Sequence, residues 1–228
     1  MGVGMKNKKI MIRNAFLCLL IVVLLCSALF CMRYQHTSSK RLAERWRGDV
    51  IAQYHSPLDK DGDGMDDQVD ILKGAINYVN THPKYKSAYY AGGYPNDGYG
   101  VCTDVVAYAL KEAGYDLMEL VSNDIEIHGD MYDIEIPDQN IDFRRVKNLY
   151  VFFNLNAESL TTDISKISEW QGGDIVIFKN HIAIVSDRRN QHGVPYVIHH
   201  ANPFQKTYEE DILEKHDDIR GHYRCNKG

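Results

Sequence analysis

Cys102 and His181 are the residues whose types and settings suggest nucleophilic chemistry in this chain. Cys102 follows the Gly-rich stretch GGYPNDGYGV and opens the segment CTDVVAYALKEA, which places its sulfur at the start of an expected helix. Unpaired backbone N–H groups and the helix dipole at such a position favour the thiolate, and the same groups can stabilise an oxyanion formed by attack on a carbonyl. The plain alternative is a small buried residue that merely begins a helix, a common setting for Cys.

A thiol nucleophile needs a base within hydrogen-bond reach, and that base needs a residue to hold its ring. In GGDIVIFKNHIAIVSD, His181 stands at a tight turn between two short β-rich runs, and the following run, PYVIHHA, brings His199 or His200 alongside. Neighbouring strands lie about 4.8 Å apart and successive side chains face opposite ways, so one of the two histidines can orient His181 and the other points away. Most of the ten histidines need no such role. The order of Cys at a helix start, His on a strand and a polar residue on the next strand is what singles out His181.

A second group has the spacing of a cation loop. In DKDGDGMDDQVD, Asp59, Asp61, Asp63, Gly64, Asp67 and Asp70 occupy positions 1, 3, 5, 6, 9 and 12 of an EF-hand-type loop, and Met65 offers its backbone carbonyl at position 7. A structural calcium ion is the expectation, with a solvated acidic linker as the alternative, and no cofactor is expected for catalysis. Asp70 replaces the long bidentate Glu usual at position 12, which favours a modest affinity.

Substrate contacts are expected from Tyr99, Asp104, Arg144 and Arg145. Tyr99 belongs, with Tyr89, Tyr90 and Tyr94, to a cluster before the Cys that suits a sugar- or peptide-binding groove or ordinary loop packing. Asp104 is an acidic neighbour of the nucleophile. Asp142, Arg144 and Arg145 read first as an ion-pair cluster; in the functional alternative one guanidinium fork receives a substrate carboxylate.

The elements that must position these groups follow from pattern. The chain has 228 residues, 44% hydrophobic and 25% charged, and its net charge of −5 is against nucleic-acid binding. Residues 15–32 run without a charge over a length that nearly crosses a bilayer as a helix, behind the basic residues Lys6, Lys8, Lys9 and Arg13. The expectation is a basic cytoplasmic segment at 1–14, an uncleaved transmembrane anchor at 15–32, a stalk or short helix at 33–56, and one extracytoplasmic domain at 57–228. Cys18, Cys26 and Cys31 lie in the apolar run, so the domain keeps only Cys102 and Cys225 and has no disulfide framework beyond a single bridge between them.

Within the domain, residues 67–81 and 102–113 carry apolar residues at helical spacing. The runs LYVFFNL, DIVIFK, HIAIVSD and PYVIHHA read as successive antiparallel strands separated by turn formers. Helices followed by a sheet indicate an α+β class, with the nucleophile-bearing helix packed on an antiparallel sheet.

The strings GYGVCTDVV, PDQNIDFRRVKNLYVFF, GGDIVIFKNHIAIVSD, VIHH and GHYR, in this order over residues 57–225, resemble domain-of-unknown-function family 1287, grouped with the NlpC-like branch of papain-type cysteine peptidases. The resemblance implies a papain-like (NlpC-like) fold with Cys102 as nucleophile, His181 as base and His199 as third member. It implies peptide or amide bonds of cell-wall peptidoglycan as substrate. Val101 stands before the Cys where many such enzymes carry Asp, and Cys225 stands where an apolar or aromatic residue is expected after GHYR. The functional expectation is therefore a membrane-anchored thiol hydrolase, an amidase or endopeptidase. A non-catalytic wall-binding module of the same fold and an acyltransferase using the same Cys and His are the alternatives.

Overall fold

In the computed structural model, residues 3–226 are described; residues 1, 2, 227 and 228, at the ends of the expected basic segment and domain, lie outside them. The uncharged run folds as expected into a helix, α1 (Val3–Arg33). Its stretch Ile10–Arg33 is long and apolar enough to cross a membrane, and none of that stretch is buried against the rest of the protein. A signal sequence shares those properties.

Residues 34–56 form neither a short helix nor a free stalk. They run as an extended strap over the body: Ser38 bridges Thr207, the Arg45 N–H donates to the Arg189 carbonyl (2.9 Å), and the Tyr54 N–H donates to Gln171 Oε1 (3.2 Å). The cause is a buried carboxylate. Glu209 is 4% exposed, and a charge so far from water needs a partner. Arg41 from the strap supplies it through Nε (3.0 Å) and Nη2 (2.6 Å), and the Leu42 N–H adds a further hydrogen bond.

Two helices frame the next layer. Asp66 caps α2 (Asp67–Asn80), which buries Ile71, Leu72, Ala75 and Val79 along one face, and the helix ends ahead of Pro83 as its pattern predicts. A short parallel pair, β1 (Lys84–Tyr85) with β2 (Tyr99–Gly100), then leads into α3 (Cys102–Glu112). α2 and α3 lie unusually close at Gly74, where a Cβ would fall 2.8 Å from the Ala109 carbonyl oxygen. Three further helices follow: α4 (Leu117–His128), capped by Asp116, the single turn α5 (Gln139–Asp142), and α6 (Val146–Asn156).

The run LYVFFNL, expected as a strand, lies inside α6. Leu149, Phe152 and Phe153 are its buried residues, at helical and not alternating spacing. A short run of adjacent apolar and aromatic residues fits either period, and packing decides.

After β3 (Glu158–Ser159) come β4 (Ile175–Phe178), β5 (Ile182–Arg189), β6 (Pro195–Ile198), β7 (Glu209–Glu210) and β8 (Ile219–Arg224). They form one sheet in the order β3-β8-β4-β5-β6-β7 with every neighbouring pair antiparallel. One face, with Ile175, Ile177, Ile182, Ile184, Ile198 and Tyr223, joins the core built with α2, α3, α4 and α6. The other, with Val176, Phe178, Ala183, Val185 and Val197, packs on Trp170, Val194 and Leu213. Burial on both faces explains why these strands read as continuous apolar runs without alternation. The architecture is mixed α and antiparallel β, with the Cys102 helix packed against β5.

Candidate active site

Cys102 is the first residue of α3, and the Asp104 carboxylate accepts from the Val101 N–H (2.7 Å) to close the helix start. The Ile182 backbone N–H, at the beginning of β5 and next to His181 in the chain, favours the charged form of the sulfur. The expected acidic thiol is not found. Burial is the strongest influence and pushes the thiol up to about 11, outweighing the pull of the N–H groups of Ile182, Thr103 and Cys102 itself. Resting Cys102 is a neutral thiol.

His181 Nε2 lies 2.8 Å from His199 Nδ1, and His199 Nε2 lies 3.2 Å from Glu210 Oε2. Burial first, then the neighbouring His199, hold His181 down at about 3, so its ring is neutral. Proton positions follow from chemistry. A carboxylate only accepts, so His199 Nε2 carries the hydrogen between it and Glu210. In the tautomer in which His199 Nδ1 accepts, His181 Nε2 donates and the lone pair of His181 Nδ1 is left to take a proton. His181 directly precedes β5, His199 directly follows β6 and Glu210 lies on β7, so three adjacent strands line up two imidazoles and a carboxylate. Glu210 has no signal in the sequence, because only the β6–β7 register, with Ile198 opposite Glu209, brings it to His199.

His200 goes to the opposite face, as alternation requires. It is fully buried, edge-on to the rings of Tyr85 and Tyr208 (5.3 and 5.2 Å between centroids), with no hydrogen-bond partner on either nitrogen. Burial keeps it neutral, lowered to about 4.

Two expected substrate contacts prove to be committed to each other. Arg144 meets Asp104 through two parallel hydrogen bonds of 2.7 and 2.9 Å, donates a third to the Ala88 carbonyl (2.7 Å), and both side chains are almost fully buried. The pair ties the start of α3 to the segment before α6 and leaves no free guanidinium fork. Arg145 is half exposed, 3.9 Å from Asp142. Tyr99 lines a cavity of about 480 Å³ with Tyr34, Gln35, His36, Lys84, Tyr85 and Lys86. Cys102 and His181 are not among its lining residues. Gln35 closes one side: its amide donates to the Tyr85 carbonyl (2.9 Å) and accepts from the Tyr85 N–H (2.7 Å), as a paired strand would.

Cys102 and Cys225 are both free thiols. Cys225 lines a groove with Leu110, Gly114 and Tyr115, at the far end of α3 from Cys102. An 11-residue helix is about 16 Å long, well beyond disulfide reach.

In the acidic loop, Asp59, Asp61 and Asp63 come together at the surface, with carboxylate oxygens all within 4.8 Å of one another. Asp67 is not among them. Its carboxylate accepts from the Lys60 N–H (2.7 Å) and from the Tyr115 hydroxyl, which removes it from the expected ligand set.

Residues 72–225 match the domain of unknown function DUF1287. Over 167 residues the chain is 36% identical to "Uncharacterized protein YijF" of Escherichia coli (strain K12), a match covering 68% of this chain and 80% of that protein. No solved structure matches the chain. The matched region runs from α2 through β8 and so contains Cys102, His181, His199 and Glu210 together, and the chain belongs to the DUF1287 family.

Proposed function

We propose that the protein is a membrane-anchored, extracytoplasmic thiol hydrolase of papain-like (NlpC-like) type that cleaves peptide or amide bonds of cell-wall peptidoglycan. The observation that carries this reading is the line of His181, His199 and Glu210, with a sulfur at a helix start that is acted on by the N–H of Ile182, the residue after His181. In the reaction, the Cys102 sulfur bonds to the substrate carbonyl carbon while its proton passes to His181 Nδ1 and the carbonyl electron pair moves onto oxygen. N–H groups at the start of α3 and at Ile182 stabilise that oxyanion. Collapse of the adduct breaks the C–N bond, and His181 gives its proton to the leaving nitrogen. Water then attacks the thioester, His181 takes one of its protons, and the sulfur leaves and recovers it.

Because Cys102 and His181 rest as neutral thiol and imidazole, proton transfer accompanies attack and no ion pair stands ready beforehand. Alkylation of Cys102 by iodoacetamide should therefore rise about tenfold per pH unit between pH 7 and 10, without the plateau near neutrality that a resting thiolate gives. On isolated peptidoglycan, the wild type should release new amino groups, and Cys102→Ala and His181→Ala should each lower that rate by at least about a thousandfold. Wall cosedimentation with no amine release from the wild type would instead establish the second reading, a binding module of the same fold. The neutral state of Cys102 is the observation in that reading's favour.

A further inference from the structure

We propose that residues 59–70 bind one calcium ion through the carboxylates of Asp59, Asp61, Asp63 and Asp70 and the Met65 carbonyl, and that the ion clamps the start of α2 to the end of α3. Six aspartates crowd this stretch, and the structure divides them. Asp66 accepts from the N–H groups of Ser56 (3.1 Å) and Val69 (3.3 Å) and contacts His55 (2.8 Å), while Asp67 serves Lys60 and Tyr115. Their place in the fold is accounted for without a metal. Of the remaining four, Asp59, Asp61 and Asp63 accept only from N–H groups of their own loop, those of Gly62, Gly64, Asp63 and Met65, and Asp70 accepts from none.

Asp70 carries the argument. It sits in the first turn of α2, is 1% exposed, and neither carboxylate oxygen has a hydrogen-bond partner. The nearest cation, the half-exposed Lys73 ammonium, stays 3.6 Å away, beyond hydrogen-bonding distance. The charges of Asp63 and Asp61 act on it from the loop and, with burial, push its carboxyl up. A buried carboxylate directed at like charges is costly unless a cation joins them. Asp59, Asp61 and Asp63 form the exposed part of the loop, and Asp70 stands outside their 4.8 Å group, at the start of α2. Four carboxylates and a carbonyl in one loop suit calcium, whereas magnesium holds fewer protein oxygens in strict octahedral geometry and retains water.

The loop also lies directly on the nucleophile helix. Gly114, just past the end of α3, has φ +79°, and a Cβ there would stand 3.1 Å from Asp61 Cβ and 3.2 Å from the Asp61 nitrogen. Calcium bound at the loop therefore fixes the far end of the helix that begins at Cys102. The site stands independently of the hydrolase reading.

The test is thermal unfolding of the full chain in detergent, stripped with EGTA and then supplied with 1 mM calcium. Calcium should raise the midpoint by about 5–10 °C, the shift expected for ligand at about a hundred times its dissociation constant. Asp70→Asn should lose this response yet melt no lower than the wild type in EGTA, since it removes an unpaired buried charge. Asp61→Asn, an exposed change, should lose the response without harming the stripped fold. An unchanged wild-type midpoint, an equal rise with 1 mM magnesium, or a full calcium response in Asp70→Asn would each overturn the proposal.

Discussion

One acceptor-only group stands at the end of a line of two rings. Glu210 receives the hydrogen on His199 Nε2, and the tautomer in which His199 Nδ1 accepts leaves His181 able to receive one at Nδ1. On the proposed reading, Glu210 acts through His199 and so is a positioning residue. Glu210→Ala should lower turnover on peptidoglycan by about 10–100-fold with the substrate KM unchanged. Glu210→Gln, whose amide oxygen still accepts, should recover most of that loss. Equal loss in both variants, or a fall in thermal midpoint matching the fall in rate, would mean that Glu210 serves the fold alone. At this scale the sequence was informative where side chains alternate: the division of labour between His199 and His200 follows from two adjacent positions on one strand. Glu210 stayed hidden because a register between strands leaves no trace in local pattern. The acidity of Cys102 was misjudged because its helix position is legible and its burial is not.

Among the elements, the strings GGD and GHYR turn out to hold one buried network. Asp174 accepts from Arg224 Nε and Nη2 (both 2.8 Å) and from Gln68 Nε2 (2.9 Å), and it contacts His222 Nε2 at 2.9 Å. The His222 ring in turn stacks on Trp170, with centroids 3.8 Å apart. These residues fasten β8 and α2 to the start of β4 and take no part in the candidate site. Removing one member leaves charges buried without partners, so Asp174→Ala should lower stability by about 3–5 kcal/mol, measured by urea unfolding. A loss below about 1 kcal/mol would show that water replaces the carboxylate. The elements α2 and α3 and the strands β4, β5 and β6 were legible because each keeps a pure pattern and clear turn signals. α6 was not, since its Phe152-Phe153 pair suits either period, and β8 was visible only as the motif GHYR. The strand order, with β8 between β3 and β4, depends on contacts across more than forty residues of chain.

For the molecule as a whole, the boundary drawn at residue 57 cuts through the structure. The strap at 34–56 brings Arg41 to Glu209 and Asp187 and donates the Leu42 N–H, so a chain that begins at residue 57 exposes the β7 edge and leaves Glu209 buried without its cation. Such a chain should be less stable than one that begins at residue 34 by about 3 kcal/mol or more, read as a lower urea midpoint; equal midpoints would show that the strap is dispensable. The strap also sets how far the protein reaches. α1 ends at Arg33, Tyr34 and Phe30 already touch Phe204, and Gln35 already grips β1. Two residues extend at most about 7 Å, so on the proposed topology the working groove hangs almost at the lipid surface with no slack to swing outward. Bonds in the distant layers of a thick wall are then out of range, and only strands lying against the bilayer, or chains still emerging from it, pass within its grasp.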